Sequence, residues 1–353
     1  MTRYSMLDLV PVRQGGTPGE ALAAAAALAA HAEAEGYHRY WVAEHHGMPG
    51  IASAATAVVI GHIAAATKAI RVGAGGIMLP NHAPLTIAEQ FGTLDALHPG
   101  RIDLGLGRAP GSDQIVARAL RRTLDSDPNA FPQDVVELQR YFADDARGGI
   151  RAVPGAGAKV YLWILGSSLF GAQLAAMLGL PYAFASHFAP AALDQALDAY
   201  RRNFRPSAVL DKPYAAAAFN VLAADTDDEA RLLASSTEQM FVAIRTGQPI
   251  ELPPPVAGYR ERIGAQGNAI LDHVLECSAI GGPETVRAGL ARFLDRTQVD
   301  EVVITGAMFE PAARRRSVTI AAEAMRALQA AGSRNLTSSP PRSSLSSREA
   351  VPS

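Results

Sequence analysis

The sequence predicts an α/β fold of the TIM (β/α)8 barrel type, with eight parallel strands inside a ring of helices. Short apolar runs alternate with longer helical segments along most of the 353 residues. The runs are apolar throughout, as the strands of a parallel sheet covered on both faces must be. Eight such runs, without an early GxGxxG motif, favour a closed barrel over an open doubly wound sheet, which is the alternative for this pattern.

The expected strands and helices follow one another in strict order. The strands are expected at residues 4–10, 37–43, 70–79, 102–107, 160–165, 182–186, 214–223 and 302–305. The helices are expected at residues 18–35, 51–66, 84–97, 131–143, 168–178, 190–204, 225–235 and 311–331. Pro18 and Pro84 stand near helix starts and Gly36 at a helix end, which are the positions that their backbones favour.

Two segments depart from this alternation. Residues 238–283 contain the sequence IELPPP, a glycine turn and an amphipathic stretch, and are expected to form an insertion between strands seven and eight near the barrel mouth. Residues 333–353 hold almost nothing apolar to bury and are expected to form a disordered tail. The barrel would then span residues 1–332 as one domain.

Composition and charge argue against several functional classes. With 32 Lys and Arg against 34 Asp and Glu, the net charge is −2, which argues against nucleic acid or an anionic membrane as the partner. The single cysteine, Cys277, rules out an intrachain disulfide and a cysteine-cluster metal site. The first residues lack the order of a signal peptide, and the alanine run at 21–30 is too short to cross a bilayer. We therefore expect a soluble, cytoplasmic protein.

Polar and glycine residues collect near the ends of the expected strands. In a parallel barrel the active site lies at the carboxyl ends of the strands. Five successive strands carry such residues there, namely Glu44-His45-His46, Gly75-Gly76, Gly107-Arg108, Gly166-Ser167-Ser168 and Ser186-His187. This coincidence predicts a functional site at one end of the barrel.

The histidine pair permits three interpretations. His45 and His46 could be solvated on the rim, bind a metal, or act as a general acid or base, for which the near-neutral pKa of histidine is suited. Neighbouring residues of an extended strand point to opposite faces, so the pair is poorly placed to hold one ion. No metal site is expected.

The glycine pair and the serine pair each have a structural and a functional interpretation. Gly75-Gly76 marks either a bulge or close packing, or a place where a flat ligand lies against bare backbone. Ser167 and Ser168 open an expected helix, so they form either an ordinary helix cap or a phosphate site with free N–H groups. Arg108 would add positive charge to the same region or form a salt bridge on the rim.

Three stretches of the sequence resemble the bacterial-luciferase-like flavin monooxygenases. They are YWVAEHH at Tyr40–His46, the segment Arg71–Arg108 and the segment Val160–Ser186, and the resemblance extends over residues 4–330. It implies a TIM barrel that binds FMN. Gly75-Gly76 falls where that family has a non-prolyl cis peptide facing the isoalloxazine ring.

The resemblance also implies roles for single residues. His45 falls on the family's histidine beside the flavin, which implies a catalytic role in proton transfer. Glu44 falls on a flavin-site position, and Arg108 and Ser167 fall on positions that contact the phosphate end of the cofactor.

This sequence departs from luciferase at two of these positions. The luciferase cysteine near the reactive carbon of the flavin is replaced by Gly107. A phosphate-side hydroxyl is replaced by the apolar pair Leu169-Phe170, which leaves Ser168 as its substitute. The resemblance therefore implies flavin binding without light emission.

In family terms, reduced FMN reacts with dioxygen to give a flavin hydroperoxide, which oxygenates a small organic substrate. His187 is a candidate for the substrate side. NAD(P)H would act directly or through a separate flavin reductase, since no segment offers a convincing NAD(P)H fingerprint. The Ala-rich helices expected at 51–66 and 84–97 would pack against a second copy in a homodimer.

Other functions remain open from the sequence. One is hydride transfer with the deazaflavin F420, which consumes no oxygen. Another is a flavin-binding protein without turnover, although His45 and Arg108 argue against it. A metal-dependent hydrolase is the most remote alternative.

Overall fold

Eight parallel strands close into a barrel in the computed structural model, which describes residues 1–108, 116, 119–120, 130–143 and 149–337. The strands of these residues are β1 (Arg3–Asp8), β2 (Arg39–Val42), β3 (Arg71–Met78), β4 (Ile102–Gly107), β5 (Tyr161–Gly166), β6 (Tyr182–Phe184), β7 (Ala215–Ala223), β8 (Ser278–Gly281) and β9 (Glu301–Thr305). Strands β1 to β7 pair in sequence order, and β9 closes the ring between β7 and β1. The predicted TIM barrel is confirmed.

Strand β8 lies outside the ring and was not predicted. The long strand β7 pairs with β6 through residues 215–217 and with β8 through residues 220–223. Since Asn220 also pairs with β9 on its other side, β8 continues the sheet on the β6 side, beyond the point where β6 ends. Its four residues, SAIG, are too short a run to stand out within the segment expected to be an insertion.

The helices surround the barrel, and most of them begin or end near the residue that the sequence predicts. They are α1 (Pro18–Ala34), α2 (Thr56–Ala65), α3 (Pro84–Leu97), α4 (Phe131–Phe142), α5 (Leu169–Leu178), α6 (Leu193–Asn203), α7 (Asp227–Arg245), α8 (Tyr259–Arg262), α9 (Gly264–Val274), α10 (Pro283–Thr297) and α11 (Pro311–Thr337). Two short 3-10 turns occupy Leu79–Asn81 and Pro190–Ala192. None of these described helices has the length and apolar character needed to cross a membrane.

Helix α2 begins later than residue 51, where its start was expected. Ile51 instead forms an antiparallel bridge with Pro11 in the loop after β1. The hydroxyl of Ser53 donates to the carbonyl of Ala43 at 2.6 Å, which holds this segment against the end of β2. The helix therefore starts only at Thr56.

The segment 238–283 contains the end of α7, helices α8 and α9, strand β8 and the first residue of α10. It contacts the loop after β1, where the N–H of Gln14 donates to the Leu252 carbonyl and the N–H of Leu252 donates to the Val12 carbonyl, both at 2.8 Å. Because that loop follows the carboxyl end of β1, this part of the segment lies beside the barrel mouth. Its role as an insertion that covers the mouth stays a prediction.

The carboxyl-terminal helix extends beyond the expected domain end at residue 332. Helix α11 continues to Thr337, so residues 333–337 of the expected tail are helical. Residues 338–353, the rest of that tail, lie outside the described residues, as do residues 109–115 after Arg108.

The amino end of the barrel is closed by a buried network of charges, which we call the ionic floor and define as Arg39, Asp103 and Glu301. Arg39 lies 2.7 Å from both acids, and all three side chains are 3% exposed or less. Asp103 also accepts from Arg71 at 2.6 Å, and Glu301 accepts from Tyr214 at 2.8 Å. Buried ions are tolerated when their partners are complete, as they are here.

Above the floor, apolar side chains fill the lumen. They are Leu7, Trp41, Ala43, Trp163, Ala183, Ala216, Ala218 and Val303. The rings of Trp41 and Trp163 meet edge to face at 5.1 Å, a favourable geometry for aromatic pairs. The lumen is thus a packed core, and the carboxyl ends of the strands remain as the place for a site.

Candidate functional site at the carboxyl end of the barrel

Glu44 is a buried acid that joins the ends of β2 and β3. Its side chain is 1% exposed. The carboxylate accepts a hydrogen bond from the N–H of Met78 at 2.9 Å, and it lies 2.8 and 2.9 Å from Nε2 of His46 and His82. The N–H of Glu44 donates to the carbonyl of Gly76 at 3.1 Å. Both the side chain and the backbone of Glu44 therefore hold the end of β3.

The environment of Glu44 favours its ionised form. Burial acts against ionisation, but the hydrogen bonds and charge of His82, with bonds from His46 and the Met78 amide, outweigh it and hold the pKa of Glu44 below its usual value. A carboxylate has about four acceptor positions, and Asn81 Nδ2 at 3.3 Å is a further donor to this one. Glu44 is thus suited to positioning backbone rather than to moving a proton.

The peptide bond between Gly75 and Gly76 is cis, as the family resemblance implies. The pairing of β3 with β4 shifts register between Gly75 and Ile77, which marks a β-bulge or a similar irregularity of the strand. A Cβ on Gly76 would lie 2.5 Å from the Gly105 carbonyl oxygen, and one on Gly75 would lie 2.9 Å from Cδ1 of Leu7. Close packing therefore requires glycine at both positions. A flat ligand against this backbone stays a prediction.

His45 follows Glu44 and presents an uncharged ring. Burial lowers its pKa, and the positive charge of His46 adds to this effect, while the negative charge of Glu44 opposes it. Among the described residues, no hydrogen bond reaches the His45 ring. A neutral imidazole can donate through one nitrogen and accept through the other, which suits it to proton transfer.

His187 follows β6 and is more deeply buried than His45. Its side chain lies 8% exposed, and its Nδ1 atom has no hydrogen-bond partner within the described structure. Burial, with a smaller contribution from His45, lowers the pKa of His187 to about 3.

The residues expected at a phosphate site lie at the ends of β4 and β5. The guanidinium of Arg108 stacks on the Phe170 ring at 4.1 Å from its centre, which brings it to the first turn of α5. Ser168 is the N-cap of α5, as the structural interpretation has it, but its side chain makes no capping hydrogen bond. Ser167 and Ser168 are both exposed. In the described part of the chain Arg108 forms no salt bridge on the rim.

The structure places the predicted residues in two adjoining groups. Glu44, His45 and Gly75-Gly76 lie toward the ends of β2 and β3, and Gly107, Arg108, Ser167 and Ser168 lie at the ends of β4 and β5. His187 follows β6, the next strand of the ring after β5. Gly107 pairs with Met78, whose N–H donates to Glu44, so the two groups meet along the β3–β4 pair.

Sequence reasoning missed the hydrogen bonds of Glu44 to other side chains. His82 lies 38 residues after Glu44 and Asn81 lies 37 after it, so no local spacing indicates either contact. The only available signal was the position of both segments at neighbouring strand ends.

Comparison with known proteins identifies the family. The family model described as luciferase-like monooxygenase matches residues 2–301. A luciferase-like monooxygenase of Escherichia coli strain K12 is 51% identical over 319 residues, which are 90% of this chain and 95% of that one. The N-acetyl-S-alkylcysteine monooxygenase of Bacillus subtilis strain 168 is 33% identical, over 86% of this chain and 92% of its own.

Solved structures agree with this assignment. The crystal structure of apo-MsnO8 matches with a TM-score of 0.87 and 33% identity, over 92% of this chain and 99% of that one. An FMN complex of the oxygenating constituent of 3,6-diketocamphane monooxygenase from Pseudomonas putida shares the fold, with a TM-score of 0.69, 16% identity and coverage of 91% and 97%. An F420-dependent secondary alcohol dehydrogenase does so with a TM-score of 0.62, 15% identity and coverage of 91% and 99%. The same barrel thus serves FMN-dependent and F420-dependent proteins, and this chain belongs to the luciferase-like monooxygenase family of oxidoreductases.

Proposed function

We propose that the protein is an FMN-dependent monooxygenase that oxygenates a small organic substrate. The observation that carries this proposal is the placement, at the carboxyl end of the barrel, of a glycine pair with a cis peptide, a neutral half-buried imidazole and a positively charged helix start. When bound, reduced FMN would supply the electrons that activate dioxygen. The chain's own residues would bind and orient the cofactor and handle protons.

Arg108 and the start of α5 fit the phosphate of FMN. The first N–H groups of a helix lack partners within the helix and carry partial positive charge, so they favour an anion. The Ser168 side chain is not engaged in capping, and the exposed hydroxyls of Ser167 and Ser168 are available as further donors. The guanidinium of Arg108, held on Phe170, adds a fixed positive charge.

The glycine pair fits the planar ring of FMN. Without side chains, Gly75 and Gly76 leave the backbone bare, and the lumen beneath Gly75 is filled by Leu7 and Trp41. Glu44 fixes this backbone because its N–H donates a hydrogen bond to the Gly76 carbonyl. The site is therefore positioned before any ligand binds.

His45 fits the role of the proton-transfer residue. Its ring is neutral because burial disfavours the imidazolium. It lies one residue from Glu44, which is bonded to the glycine backbone, so its backbone is anchored beside the expected ring position. The apolar lumen below excludes water from this side.

Oxygen uptake by the purified full-length protein tests the proposal. The protein is titrated with FMN and reduced FMN, and oxygen is then followed with reduced FMN and a panel of substrates. The panel begins with alkyl thioethers, because a relative is an N-acetyl-S-alkylcysteine monooxygenase. Substrate-dependent uptake is expected. Parallel runs with NAD(P)H and oxidised FMN show whether a separate reductase is needed.

Other outcomes would replace the proposal. Turnover with F420 and no oxygen consumption would indicate hydride transfer. FMN binding with no turnover under any condition would indicate a flavin-binding protein. Failure of both oxidised and reduced FMN to bind would overturn the proposed cofactor.

A further inference from the structure

The Nδ1 atom of His187 is a buried polar atom whose partner is missing from the described protein residues. Its side chain is 8% exposed, and Nδ1 has no hydrogen-bond partner. Buried polar groups in folded proteins almost always have partners, and an exception points to a water, an ion or a ligand. Because His187 follows β6, its position is the carboxyl end of the barrel, where ligands of this fold bind.

The backbone that carries the ring is held by two neighbouring elements. Nδ2 of Asn220, on β7, donates to the His187 carbonyl at 2.7 Å. Nη2 of Arg245, at the end of α7, donates to the Phe188 carbonyl at 2.7 Å. The Phe188 ring meets the His187 ring edge to face at 4.8 Å. The backbone of residues 187–188 is thus fixed, and the imidazole packs against an aromatic neighbour.

We propose that His187 binds the substrate through Nδ1 and that the group it recognises is uncharged, such as a carbonyl, an amide or a hydroxyl. This inference rests on the proposed function and names the substrate chemistry of the same site. The missing partner of Nδ1 and the position of His187 after β6, at the carboxyl end of the barrel, carry it.

The charge state of the surroundings selects an uncharged group. Burial lowers the pKa of His187 to about 3, so its ring is neutral at ordinary pH and offers no counter-charge to an anion. Glu44 directs its carboxylate to protein donors rather than to a cation from outside. Phe188 and Ile244 are 40% and 38% exposed on the adjoining surface, and the guanidinium of Arg245 between them is engaged with the Phe188 carbonyl. A largely apolar molecule with one uncharged polar group matches these surroundings.

Ligand titration by nitrogen NMR tests the inference without any turnover. Full-length protein with labelled histidine is titrated with cyclohexanone, cyclohexanol and cyclohexanecarboxylate, which share a ring and differ in the polar group. The neutral probes are expected to shift the His187 Nδ1 signal, whereas the carboxylate should not. Affinity for the neutral probes should fall about five- to tenfold in His187→Leu and be partly kept in His187→Gln.

The remaining outcomes separate this inference from the proposed function. Carboxylate binding at least as tight as ketone binding, or unchanged ketone affinity in His187→Leu, would overturn the inference. A wild-type Nδ1 signal that none of the probes shifts would do so as well, even if the variants did not fold. FMN affinity is measured on the same samples, so loss of FMN binding in the wild type would contradict the proposed function independently of the probe result.

Discussion

Burial of the His187 ring makes the stability of the folded protein depend on pH. The pKa of this ring is about 3 in the folded protein against an ordinary value of 6.5. Between these values the unfolded chain binds a proton that the folded chain does not. The stability present above pH 6.5 is therefore lost as the pH falls, by about 1.4 kcal/mol per pH unit from this one residue.

We expect the His187→Leu variant to lose less stability than the wild type between pH 7 and pH 5. The difference in the free energy of unfolding should reach about 2 kcal/mol by pH 5, because leucine has no proton to gain. Urea unfolding at both pH values measures it, with His273→Leu at the exposed end of α9 as the control. Equal losses in wild type and variant would show that the His187 ring is not kept neutral.

His45 carries the second residue-level prediction. The His45→Ala variant should bind FMN with an affinity within about twofold of the wild type, because backbone and phosphate contacts remain. Its turnover should fall by about a hundredfold, a usual loss when a general acid or base is removed. Steady-state oxygen uptake measures the rate, and His62→Ala is the matched control. An unchanged rate would remove His45 from the mechanism.

Among the strands, β3 and β4 approach most closely at their glycines. A Cβ on Gly76 would lie 2.5 Å from both the Gly105 carbonyl oxygen and Cδ1 of Leu165. We expect Gly76→Ala to lower the free energy of unfolding by about 2 kcal/mol, since backbone cannot move aside as a side chain can. Gly19→Ala, in the first turn of α1, is the control, because no such close contact surrounds it. Denaturant unfolding of both variants decides the point, and equal stability would contradict the packing argument.

Helix α5 carries the phosphate prediction. The Arg108→Ala variant should lose about ten- to a hundredfold in affinity for FMN, the usual range for a charge-assisted contact. Affinity for riboflavin, which has no phosphate, should change little. Fluorescence titration with both flavins measures the difference, and Arg202→Ala, on the exposed side of α6, serves as the control. Equal losses for both flavins would show that Arg108 does not bind the phosphate.

Periodic features of the sequence predicted the strands and helices, whereas contacts between residues far apart in the sequence could not be predicted from it. The eight barrel strands were predictable because uniformly apolar runs such as β7 leave few other interpretations. The start of α2 was not, because the bridge from Ile51 to Pro11 joins residues far apart in sequence. In the site, strand ends identified Glu44 and His187. The bonds of Glu44 to His82 and the missing partner of His187 depend on packing that no local pattern encodes.

At the scale of the whole molecule, the faces of α2 and α3 predict a homodimer. Val58 and Leu97 on these helices are 74% and 66% exposed, and a Cβ on Gly61 would lie 3.4 Å from Leu94, so the two helices pack side by side. Exposed apolar side chains on neighbouring helices often mark an interface. Sedimentation should show a dimer for the wild type and a monomer for Val58→Asp. Val209→Asp, in the loop before β7, is the control, and a monomeric wild type would contradict the prediction.

The ionic floor of Arg39, Asp103 and Glu301 has a consequence for the order of events in a catalytic cycle. It closes the amino end of the barrel, so the proposed cofactor, its substrate, dioxygen and the product would all enter and leave through the opening at the carboxyl end. The large ring system of a flavin bound across that opening would block the path of molecules that arrive or leave later. Binding and release would then be sequential, and the release of one molecule would limit the binding of the next.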